Sequence, residues 1–202
     1  MTSETTTPPG LLTAILGSYR DLRGGMVRFL DRRPRDAQLL VLAMLAAFVG
    51  FVAGLPAAIE QAQVVDAGED SPLTAVMSVR LFAGIFMTPL LLFFVAALGR
   101  LVAGLAKGKG SFWSARAAII WAVMVALPLL CLNGLLSGLK IYAPGPLTMS
   151  LNTGGDIVTA LAFIWIWATH IAEVEGFSRV SAVFVCILCI FGCIAGLTTV
   201  VS

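Results

Sequence analysis

The chain has 202 residues, 59% of them apolar and only 12% charged. Soluble domains carry about 45–50% apolar and about 25% charged residues, so a water-facing fold would lack the polar surface to cover itself. The net charge of +2 hides an uneven distribution, because ten of the thirteen Lys and Arg residues fall within residues 20–35 and 100–116; no nucleic-acid partner is expected.

Residues 1–10 are polar and contain proline, so a disordered tail is expected there. In residues 11–33, Leu11, Ile15, Tyr19, Leu22, Met26 and Leu30 recur at three- and four-residue steps, the signature of one helical face. Arg20, Arg23 and Arg28 lie off that stripe. The segment is expected to be an amphipathic helix that lies in the cytoplasmic interface or packs on the bundle.

Five apolar runs follow, near residues 37–58, 81–104, 117–139, 157–172 and 180–200. The expected fold is all-α: a polytopic membrane bundle forming one domain over residues 34–202. Its five transmembrane helices are expected at about residues 37–58, 77–104, 116–139, 156–175 and 179–201. No small-residue cleavage site follows a short apolar region, so the first run is expected to be retained. Pro56 marks the far end of span one. Ser71-Pro72 reads as a cap and first turn for span two, and Pro89 inside that span predicts a kink. Pro128 and Asn133 lie inside span three. Asp156 reads as the start of span four, Gly176 as its stop and Ser178 as the cap of span five.

Basic residues set the orientation. With the N-terminus on one side, that side collects Arg20, Arg23, Arg28, Arg32, Arg33, Arg35, Arg100, Lys107, Lys109, Arg116 and Arg179; the other receives Arg80 and Lys140. The positive-inside rule then predicts a cytoplasmic N-terminus and a periplasmic C-terminus in a bacterial inner membrane.

Small-residue pairs Gly50/Gly54, Gly134/Gly138 and Gly192/Gly196 are expected to pack helices closely, and Asn133 to bridge helices by hydrogen bonds. Cys186 and Cys189 match a redox spacing and Cys193 continues the same helical face, but among apolar neighbours they read as small apolar residues. His170 stands one turn before Glu173; it reads either as a belt histidine beside Trp165 and Trp167 or as part of a partner-binding patch. Lys107-Gly108-Lys109-Gly110 invites a phosphate-loop reading. Ala103 occupies the position where that motif needs glycine, and no strand precedes it, so a basic loop facing anionic headgroups is the simpler account. No catalytic, cofactor-binding or metal-binding set can be assembled.

Certain stretches resemble the Yip-one (Ypt-interacting protein) family, particularly its bacterial members. They are Tyr19-Arg20-Asp21 through Arg32-Arg33-Pro34, the joint Lys107-Gly108-Lys109-Gly110-Ser111-Phe112-Trp113, Ala115-Arg116 with Pro128, and the hairpin Glu173-Val174-Glu175-Gly176-Phe177-Ser178. The resemblance covers roughly Arg20 to the C-terminus and implies a five-span bundle with a cytoplasmic N-terminus. The small-GTPase and trafficking role of eukaryotic relatives is not carried over, because the long N-terminal region is shortened and the Asp-Leu-Tyr-Gly-Pro box is missing.

The expected function is non-catalytic: organising partners or lipids at the cytoplasmic face. The contact surface would combine Arg20, Arg23, Arg28, Arg32, Arg33 and Arg35 with Lys107, Lys109 and Arg116, and with His170, Glu173, Glu175 and Arg179. The partners expected are the bilayer, anionic lipids, and a membrane protein or a second copy of the chain. A small-solute transporter or channel using Pro89, Pro128 and Asn133, or an accessory subunit of a larger membrane complex, are the alternatives.

Overall fold

In the computed structural model, which describes residues 10–64 and 72–201, every regular element is a helix. Side-chain surroundings are described for residues 10–62 and 73–193. The order is α1 (Leu11–Ser18), α2 (Leu22–Asp31), α3 (Asp36–Ala53), α4 (Leu55–Val64), α5 (Pro72–Phe82), α6 (Thr88–Leu105), α7 (Phe112–Tyr142), α8 (Pro146–Glu175) and α9 (Val180–Val201). The expected N-terminal tail and Ser71 lie outside the described residues.

Four stretches, Asp36–Ala53, Leu73–Leu105, Phe112–Tyr142 and Pro146–Glu175, are long and apolar enough to cross a bilayer. The chain is therefore a multi-pass integral membrane protein. The α9 helix occupies the place of the expected fifth span, and its described apolar part, Val180–Cys193, is shorter than the other four.

The bundle is built around α7, which packs against α1, α2, α3, α4, α6 and α8. From Ala117 to Ala122 every residue is buried, with Ala117, Ala118 and Ala122 flanking Ile119, Ile120 and Trp121. Alanine lets neighbouring backbones approach, which lipid-embedded helices need because tails are as apolar as leucine and packing must hold the helices together. Large apolar side chains point outward instead: Val41, Met44 and Phe48 on α3, Leu90, Leu91 and Phe94 on α6, Val185 and Ile190 on α9. A soluble protein would bury such residues, whereas here their solvent is hydrocarbon.

Two elements depart from the sequence reading, the N-terminal segment and span four, and span two adds a detail to it. The N-terminal amphipathic segment is two helices, not one. Asp21 breaks it, adopting extended backbone and accepting a hydrogen bond from the Gly24 amide at 2.9 Å to cap α2. Gly25 lies where a Cβ would overlap the Ser18 side chain, so its missing side chain lets α1 and α2 cross closely. The hairpin packs on α7 and α8. Phe29 stacks on Trp121 with ring centroids 4.4 Å apart, and the Tyr19 hydroxyl donates to the Val125 carbonyl.

Span two accommodates Pro89 with a π-helical segment, Ala83–Met87, just before it. The proline lacks the N–H that would reach the carbonyl one turn back, and widening that turn relieves the clash of its ring.

Span four does not start at Asp156. The helix begins at Pro146, a favoured first-turn residue, and Asp156 lies well inside it. Polar residues before Ile157 ended the apolar run but not the helix, since α8 continues along the C-terminal part of α7 through the short turn after Tyr142. The other end follows the sequence: Gly176 takes the left-handed conformation (φ 75°), and the Phe177 amide donates to the Ala172 carbonyl at 2.8 Å. Because α9 begins at Val180, Ser178 stands one residue before its cap.

Candidate functional site

At the basic end, where α3, α7 and α9 begin and α6 and α8 finish, one carboxylate organises the loops. Glu175, the last residue of α8, is 2% exposed. Its Oε2 accepts from the Gly110 amide at 2.9 Å and lies 3.1 Å from Arg100 Nη1. Its backbone carbonyl accepts from the Lys109 amide at 3.1 Å. The loop reaches this position through Lys107, which has φ of 60°. A methyl group at Gly110 would come within 2.7 Å of Glu175 Oε1, and one at Gly108 would overlap Oε2. The glycine-rich loop is thus a cradle for an anion, and the chain fills it with its own carboxylate.

Further ties hold the same end. Arg23 Nη2 donates to the Phe177 carbonyl at 3.3 Å, and its Nε lies 3.9 Å from Glu173. Trp113 Nε1 donates to the Pro34 carbonyl at 3.1 Å, and Arg116 pairs with Asp36 at 3.0 Å. The α2 helix, the start of α3, the loop after α6 and the α8–α9 turn form one cross-linked cap.

This pairing divides the residues expected at the contact surface. Glu175 is sealed inside the cap and offers nothing to a partner. His170 is fully buried, because its face of α8 turns inward toward α7, where the Ala118 backbone lies against the ring. Trp167 is also buried, while Trp165 remains 44% exposed. Arg23, Arg116 and Glu173 are half-buried and engaged with the chain. Arg20, Arg28, Arg32, Arg33, Arg35, Lys107, Lys109 and Arg179 are exposed, and none forms an ion pair among the described residues.

The far end uses smaller polar groups. Asn133 Nδ2 donates to Asp156 Oδ1 at 2.6 Å, Ser137 Oγ to Asn152 Oδ1 at 2.7 Å, and Asn152 Nδ2 to Asp156 Oδ2 at 3.4 Å. Asn133 thus bridges α7 and α8. Its Oδ1 is buried without a partner and faces Gly155, where a Cβ would clash. Lys140 pairs with Glu60 at 3.0 Å, and Arg80 donates to the Gly54 carbonyl at 3.0 Å and to Gln61. Sequence reading missed Ser137, Asn152, Gly155 and the position of Asp156. The signal was present: Asn133/Ser137 and Asn152/Asp156 are each four residues apart, so each pair shares a helix face.

The small-residue pairs do not behave alike. Gly134 lies where a Cβ would overlap the Ala53 carbonyl, so α3 and α7 touch backbone to backbone. Gly138 is in ordinary contact with Pro56, and Gly54 sits beside Arg80. Among the described residues, nothing lies against the Cβ position of Gly50 or Gly192. The surroundings of Gly196 lie outside the described residues. Cys131, Cys186, Cys189 and Cys193 are exposed free thiols on the apolar periphery.

These groups mark two polar levels. Along the helices, Asp36 to Gly54, Arg80 to Arg100, Arg116 to Asn133 and Asp156 to Glu175 are each about 25–30 Å apart. That is the thickness of bilayer hydrocarbon. No protein-family model matches the chain, and no curated protein or solved structure matches it either.

Proposed function

We propose that this chain is a non-catalytic membrane protein that organises partner proteins or lipids at a cationic cytoplasmic face, with α9 as a fifth span. The observation that carries this reading is the cross-linked cap at the basic end. Glu175 and Asp36 neutralise Arg100 and Arg116 internally, leaving a held surface of Arg20, Arg33, Arg35, Lys107, Lys109 and Arg179. Such a face attracts anionic headgroups or an acidic partner segment, and the positive-inside rule orients it to the cytoplasm. The stretches that resemble the Yip-one family meet in this cap: Arg23 with Phe177, Gly110 with Glu175, Trp113 with Pro34. Membership of that family and placement in a bacterial inner membrane are proposed on the sequence resemblance of these stretches.

Crosslinkers installed at residues 33–35, 107–109 and 179 should capture the same partner or anionic lipid. Capture no better than that of a variant with these charges removed would end the proposal. Reporters fused to the two termini should report from opposite compartments if α9 crosses.

A second reading is favoured by one observation. Asp156, exposed at the far polar level and bonded to Asn133, would then stand at the entrance of a path between α7 and α8. Solute flux in reconstituted vesicles that is lost in Asn133→Leu would support a transporter; wild-type vesicles that stay tight to a solute panel would exclude it.

A further inference from the structure

The α1–α2 hairpin covers α7 below the basic level. Trp121 lies about 7 Å along α7 from Arg116, and Val125, which receives the Tyr19 hydroxyl, about 13 Å. Both residues are held by the hairpin, through Phe29 and Tyr19. Both ends of α2 stand at the basic level: Arg23, near its start, meets Phe177, and Pro34, just after its end, meets Trp113. The hairpin therefore dips from the headgroup level into the leaflet and returns. The α1 sequence, Leu-Leu-Thr-Ala-Ile-Leu-Gly-Ser, has no charge, and Leu12 and Leu16 are 76% and 61% exposed. Water would penalise those leucines, whereas lipid chains solvate them.

Between α1, α2 and α7 the hairpin leaves a groove of about 260 Å³, lined by Thr13, Ala14, Gly17, Gly25, Arg28, Phe29, Arg32 and Trp121. Arg28 and Arg32 are on its wall and, among the described residues, form no ion pair or hydrogen bond. Two unpaired guanidinium groups one helical turn apart, at headgroup depth, above an aromatic floor and beside a lipid-facing leucine surface, match one ligand chemistry.

We propose that this groove binds the phosphate of an anionic phospholipid of the same leaflet. Arg28 and Arg32 donate to the phosphate oxygens, Thr13 lies within the same groove, and the acyl chains run along Leu12 and Leu16 of α1. Guanidinium forks suit phosphate in geometry as well as charge. This deepens the reading of the basic end as a lipid- or partner-organising face and rests on it.

The test is native mass spectrometry of the full chain in mild detergent, titrated with phosphatidylglycerol or phosphatidylcholine. The wild type should retain one phosphatidylglycerol in preference to phosphatidylcholine. Removing two charge-assisted contacts, in R28A/R32A, should weaken that adduct at least about tenfold. Gly17→Leu, which keeps every charge but fills the groove from a position with open space around it, should weaken it as well. R80A/K140A removes the same charge at the far end, outside the basic face, and should weaken it less than about threefold. Size-exclusion profiles matching wild type establish that each variant is folded.

No headgroup preference in the wild type, or equal losses in the two double variants, would overturn the proposal. Glycerol phosphate displacing the lipid at millimolar concentration would also overturn it, by identifying a soluble phosphate site. Failure here with crosslinks from residues 107–109 and 179 still capturing a partner would leave the wider reading standing. Loss of those crosslinks as well would remove both.

Discussion

The two ends of the α7–α8 pair solve one problem with different chemistry. At the basic end, a sealed carboxylate is held by a guanidinium and by loop amides, and the α1–α2 hairpin encloses α7 so that Ala117 to Ala122 are all buried. At the far end, Asn, Ser and Asp side chains join two helices whose outer faces are bare, with Leu135 72% and Leu147 73% exposed. The basic end concentrates its energy in one charge that cannot be left unpaired. The far end spreads weaker bonds over several groups, any of which can find another partner. One end should fail sharply on a single substitution, the other gradually.

Glu175→Ala is the largest test of that contrast. It leaves Arg100 with the Gly108 carbonyl at 3.4 Å and partial exposure, so the loss should approach, as an upper bound, the about 3–5 kcal/mol of breaking a buried ion pair from one side. Unfolding in detergent should show that loss, and protease should cut the loop after α6. The cradle sharpens the test further. Gly110→Ala should destabilise the wild type by overlap with the carboxylate, yet cost little more in the Glu175→Ala background, where the methyl has room. A double-mutant cycle giving additive losses would mean that the loop is not built around the carboxylate.

Next in size is Gly134→Leu, which drives a side chain into the Ala53 carbonyl where α3 meets α7. Overpacking of this kind costs about 1–3 kcal/mol, and a thermal shift of the purified protein would read it. At the far end, Asn133→Ala removes a bond to Asp156 that Asn152 partly replaces. Interhelical hydrogen bonds in membranes average about 0.6 kcal/mol, so a loss of that order is expected; a loss as large as that of Glu175→Ala would erase the distinction between the ends. Smallest is Gly50→Ala. Its Cβ meets nothing, and stability should stay within about 0.5 kcal/mol of wild type.

Gly50 and Gly134 show what a sequence conveys and what it withholds. Both open a small-residue pair inside an apolar run. Only one lies where another backbone crosses, because crossing points depend on helix rotation and tilt, which local pattern does not encode. Glu175 carries the same lesson. In the sequence it belongs to the expected contact surface, and its partners lie two helices back, in α6 and the loop after it. His170 reads as a belt histidine because it stands near two tryptophans, while the face it occupies is turned inward by the packing of α7 and α2. The Asp21 cap that splits the N-terminal stripe is local and was legible in principle; the apolar periodicity simply continued across it.

What the amino-acid order determined by itself was the solvent of each segment. Runs of apolar residues near bilayer length, bounded by prolines, glycines and charges, require helices in hydrocarbon, since an unpaired backbone has no partner there. Turns and stops such as Gly176 followed from local backbone sterics. Tertiary structure alone decided which polar groups meet: that a glycine-rich basic loop closes on the chain's own carboxylate, that Asp156 joins a helix pair instead of starting a helix, and that a split N-terminal hairpin leaves two arginines without an ion pair beside a groove. Those outcomes depend on distances between residues far apart in the chain, and only the packed bundle fixes them.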